Sequence, residues 1–93
     1  MKKKNKLKLI EGVFQQEDAK EILMKIFLDK INFHNIKNWS SQERFGKDDE
    51  FAQKRIPALK IEMDKLQKIL SEAKAKNKRL KISSEIDITL VDN

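Results

Sequence analysis

The sequence predicts an α+β fold: a small β-α-α-β domain in which an antiparallel helical hairpin packs on a two-stranded antiparallel ribbon, completed by dimerisation. Three observations carry that expectation. The end of the chain alternates apolar and polar residues with a period of two. A strict heptad spacing runs from Asp48 to about Lys76. The segment before it is apolar over far more of its circumference than a surface helix requires. Ninety-three residues make one domain, with residues 1–5 read as a basic tail and residues 6–93 as the folded unit.

The first strand is expected over Lys6–Phe14. Leu7, Leu9 and Val13 share one face by the period of two, Glu11 interrupts it, and Gly12 marks a bulge or a close backbone approach. The first helix opens after "QQ", with Glu17 and Asp18 in its first turn, where the helix dipole favours anions. On a helical wheel Ala19, Ile22, Leu23, Ile26, Phe27, Ile31 and Phe33 belong to an apolar arc of about 240°, so this helix must be covered on more than one side.

The turn is expected in "FHNIKNWSSQERFG". Ser40 and Glu43 fit a capping box, and a single helical turn over residues 41–45 ends at Gly46. Trp39 precedes the cap as a hydrophobic staple, and Asp48 caps the next helix. In that helix Ala52, Ile56, Leu59, Met63, Leu66, Leu70 and Ala73 are spaced 4-3-4-3-4-3, a narrow seam suited to cover one flank of the first helix. Pro57 is expected to kink or divide it. The last strand sets Leu80, Ile82, Ser84, Ile86, Ile88 and Leu90 on one face, against Arg79, Lys81, Ser83, Glu85, Asp87 and Thr89 on the other.

The formal charge of +6 is concentrated at two places. Five lysines and no acid lie in residues 1–10, residues 11–73 are nearly balanced, and Lys74, Lys76, Lys78, Arg79 and Lys81 form a second cluster. Antiparallel pairing sends these clusters to opposite ends of the ribbon, and neither contains an aromatic residue to stack on bases. With no cysteine and one histidine there is no disulfide framework, no zinc site and no metal constellation. His34 near loop serines does not make a triad, and the acids of "KDDE" fit a helix start better than a cation site. No glycine-rich phosphate loop, signal peptide or membrane span is present, so a cytoplasmic protein without cofactor is expected.

Open sheet edges and the wide apolar arc both ask for a partner surface, which points to a homodimer, with a four-stranded sheet shared across its two-fold. The expected function is a non-enzymatic, intracellular protein-interaction or oligomerisation module. Trp39, Arg44 and Phe45 are its candidate partner-binding residues. The alternative is a non-specific nucleic-acid-binding or ribosome-associated protein using Lys2, Lys3, Lys4, Lys74, Lys76, Lys78, Arg79 and Lys81.

Overall fold

The structure, a computed structural model, describes residues 4–93. Its order is β1 (Lys4–Phe14), α1 (Gln16–Phe45), α2 (Glu50–Ala75) and β2 (Leu80–Thr89). The two strands form one antiparallel ribbon and the two helices an antiparallel hairpin, as the periodicities require.

The heptad seam of α2 is the inner face of the hairpin. Ala52, Leu59, Leu66, Leu70 and Ala73 are buried, with Ile56 and Met63 half-buried between them. Pro57 lies inside a continuous α2 and does not divide it. It stands on the exposed side, where loss of the N–H that would bond to Gln53 removes one turn's bond without touching the seam. At the open end of the hairpin Ala19, Leu66 and Leu70 make a buried cluster. Phe14, Leu23, Met24, Phe27, Leu80 and Ile82 pack around it. Here the strands and both helices meet.

Three expectations fail at the turn. α1 runs unbroken for 30 residues, straight through the proposed capping box, so Ser40 and Glu43 are helix-interior positions. Trp39 is not a buried staple but is 62% exposed. The stop comes at Gly46, as expected: it is left-handed (φ 68°, ψ 21°) and donates its N–H to the Gln42 carbonyl at 2.9 Å. Asp48 does not cap α2 either. Its carboxylate accepts from the Gln42 side chain at 2.6 Å and from Asn38 Nδ2 at 3.3 Å, while Asn38 Oδ1 accepts the Asp49 N–H at 2.8 Å. A side chain from α1 therefore satisfies a backbone donor at the α2 N-terminus, a longer-range solution to the same unpaired-donor problem.

The other end of α2 closes in a Schellman motif. Asn77 takes the left-handed conformation (φ 54°), Lys78 N–H reaches the Ala73 carbonyl at 2.8 Å and Asn77 N–H the Lys74 carbonyl at 3.2 Å. Gln16 Nε2 ties the start of α1 to this turn, donating to the carbonyls of Ala73 (3.0 Å) and Lys78 (3.1 Å).

β1 begins at Lys4, two residues before the expected start, and its inward face differs from the expected one. The register pairs Lys8 with Glu85 but Ile10 with Ser84, so Leu9 is an extra residue on β1. The bulge sits at Leu9 rather than at Gly12. Its consequence is a change of phase. Leu7 shares a face with Ile86 before the bulge, and Ile10, Gly12 and Phe14 share that same face with Ser84, Ile82 and Leu80 after it. Val13 is turned outward opposite Lys81, and Leu9 is half exposed. Gly12 leaves room for the Phe14 ring, which a Cβ there would meet at 3.4 Å.

Leu66 belongs to the buried cluster on which α1, α2 and the ribbon meet. Leu66→Ala is expected to lower unfolding free energy by roughly 2–4 kcal/mol, read as a lower denaturant midpoint at unchanged slope.

Candidate functional site

The continuous α1 decides how the candidate partner-binding residues are presented. At about 100° per residue, Trp39 points away from α2, Arg44 lies about 140° round the helix from it, and Phe45 about 120° the other way. The three do not converge. Trp39 instead shares its stripe with Leu28 and Ile36, both more than half exposed. Phe33 stands on a flank of the same helix with the ammonium groups of Lys30 and Lys37 at 5.8 Å and 5.7 Å from its ring centre.

His34 faces the opposite way, into the hairpin. It is 2% exposed, lies edge-on to the rings of Phe33 (5.4 Å between centres) and Phe51 (5.5 Å), and neither ring nitrogen has a hydrogen-bond partner among the described residues. Among those residues no serine hydroxyl or carboxylate is within hydrogen-bond reach of it, so they assemble no triad there. Among the described residues no group of three or more His, Asp or Glu side chains is placed to hold a metal ion. The acids of "KDDE" divide their duties: Asp48 bonds to Asn38 and Gln42, Asp49 is the residue preceding α2, and Glu50 opens it.

The lysine clusters separate as the antiparallel register requires. Lys4 pairs with Thr89 at the far end of the ribbon, whereas Leu80 pairs with Phe14 at the near end. About ten residues at 3.3 Å each, roughly 33 Å, lie between them. Lys74, Lys76, Lys78, Arg79 and Lys81 surround the α2–β2 turn, where Lys76 is bonded to Glu72 at 2.7 Å. Lys2 and Lys3 lie outside the described residues.

The largest feature is the extent of uncovered surface, which sequence reading anticipated only as a demand on α1 and the sheet edges. The chain exposes 8055 Å². A compact monomer of 11.0 kDa exposes about 5,600 Å² by the size scaling of folded proteins, so some 2,400 Å² is in excess. The radius of gyration is 16.8 Å, where about 12 Å is expected for this length. Of the ribbon, Phe14, Leu80 and Ile82 pack on the core cluster, and Ile10 on the same face is buried. Beyond them Leu7, Ile86 and Ile88 continue that inward face at 38–51% exposure, and Leu90 and Val91 follow, more exposed still. No helix among the described residues is long and apolar enough to cross a membrane.

No family model, no curated protein and no solved structure matches this chain.

His34 buries two polar atoms without return. His34→Leu is therefore expected to raise stability, by roughly 1–3 kcal/mol, seen as a higher thermal midpoint. Asn38→Ala, which strands the Asp49 N–H, is expected to lower it by about 1 kcal/mol in the same assay.

Proposed function

We propose that this chain is a non-enzymatic oligomerisation module whose working form is a homodimer. The observation that carries this reading is the excess accessible surface. An obligate homodimer buries roughly 2,000–5,000 Å² in total, and covering even half of the excess on each copy reaches that range. The apolar residues that would be covered are large aliphatic side chains on regular strand and helix, the composition of a domain core cut in two rather than of a polar, wet contact. A hairpin and a ribbon that meet at the hairpin's open end also gain rigidity when a second copy bridges them. The chemistry is then that of holding surfaces together.

The reading predicts a mass near twice 11.0 kDa by light scattering at micromolar concentration. It also predicts a thermal midpoint that rises with protein concentration, because mass action favours the folded dimer. An 11 kDa species with a concentration-independent midpoint would refute it.

A further inference from the structure

We propose that the free edge of β2 is where a second copy docks, the two β2 strands pairing antiparallel about Ser84 into a four-stranded sheet of order β1-β2-β2-β1. This rests on the homodimer reading above and names its interface. The two edges of the ribbon are unlike. β1 carries Lys4, Lys6 and Lys8 on its outward face and a bulge at Leu9, and both devices discourage further strand pairing. β2 is ten residues of regular alternation with its register unbroken from Leu80 to Ser84 and again from Glu85 to Thr89. Only β1 pairs with it among the described residues, so alternate backbone N–H and C=O groups along its other edge face outward.

The charge pattern of β2 is self-complementary. Its start is basic, at Lys81 and at Arg79 just before the strand, and its second half is acidic, at Glu85 and Asp87. An antiparallel copy sets the basic start against the acidic half. A two-fold axis at Ser84, the middle of the strand, places Lys81 opposite the partner's Asp87. On the inward face it places Ile82 opposite the partner's Ile86 and Leu80 opposite the partner's Ile88. An axis at Glu85 would instead oppose two carboxylates. One at Ser83 would set Ile82 against serine and Lys78 against isoleucine on the apolar face. An axis between residues would pair inward with outward side chains. For β1 the equivalent pairing is unfavourable, because an axis at Leu7 brings Lys6 against Lys8 and one at Lys6 or Lys8 brings a lysine against itself. The shared sheet would also double the width of the apolar face to which Leu7, Ile86 and Ile88 belong.

The chain has no cysteine, so a single introduced thiol forms a disulfide only between copies. Directly opposed residues of an antiparallel pair have Cα atoms about 4.5–5.5 Å apart, within disulfide reach. Full-length Ser84→Cys is expected to give a covalent dimer under copper–phenanthroline oxidation, and Lys6→Cys, on the outer strand, is expected to give none. Lys81→Glu faces Val13 within its own chain, so it leaves the β1 ladder without a new like-charge pair. It is expected to weaken association about tenfold through two symmetry-related contacts. The compensating variant Lys81→Glu with Asp87→Lys, carried with Lys6→Glu so that residue 87 keeps an opposite charge within its own ladder, is expected to recover most of that loss, while circular dichroism reports that each variant is folded. A wild-type dimer in which Ser84→Cys does not cross-link and the charge swap does not rescue would overturn the β2 edge and leave the dimer standing. A wild-type chain that is monomeric at every concentration would overturn both.

Discussion

The closure of α2 on α1 is the contact from which everything else hangs. Its seam is one residue wide, with an alanine at each end, Ala52 and Ala73, and large side chains between, and it delivers two results at once. The alanines at either end, with Ala19 opposite, let the helices approach closely. The leucines between them form the main buried layer among the described residues. Because α1 is 30 residues long, about 45 Å, the hairpin spreads this thin layer over a great length instead of gathering it into a ball. Both ends are then fastened by amide side chains, Gln16 at the open end and Asn38 at the turn, where they meet backbone groups that a seam of aliphatic residues has no means to satisfy.

The bulge at Leu9 is the second constraint. A strand whose side chains alternate strictly would place either Leu7 or the trio Ile10, Gly12 and Phe14 toward the helices, but not both. One extra residue shifts the phase and puts them on one side. It costs a ladder bond and leaves Leu9 half exposed, and in doing so it also blunts the β1 edge. The ribbon is thus asymmetric: one edge is interrupted and lysine-lined, the other regular and of mixed charge. That asymmetry arises from meeting the needs of the inward face, and the proposed choice of docking edge rests on it.

His34 fits the same account. A long, thin interface has few positions where a side chain is enclosed on every side, and near the turn the enclosure falls on an imidazole between two phenylalanine rings. Its ring is held by shape, with no hydrogen bond to fix a tautomer or direct a proton.

The β-α-α-β order, the antiparallel ribbon, the heptad seam, the stop at Gly46 and the separation of the lysine clusters were all legible in the residues. Each depends on a local period or on a backbone preference that neighbouring residues impose on one another. What was misread depends on contacts distant in sequence. Ser40 and Glu43 spell a capping box, yet a cap forms only where a helix begins. Here the pairing of Asn38 with Asp49 and the reach of α2 kept α1 helical through that stretch, carrying Trp39 onto an open face. Leu7, Leu9 and Val13 spell one strand face, yet the phase of β1 is set by which residues β2 and the helices can cover. Trp39, Arg44 and Phe45 read as one cluster along the chain and fan out once wound at 100° per residue. Local pattern thus determined the elements and their order. Tertiary packing alone decided where α1 ended, which way β1 faced and how much apolar surface was left over, because those are settled by the partner each side chain finds.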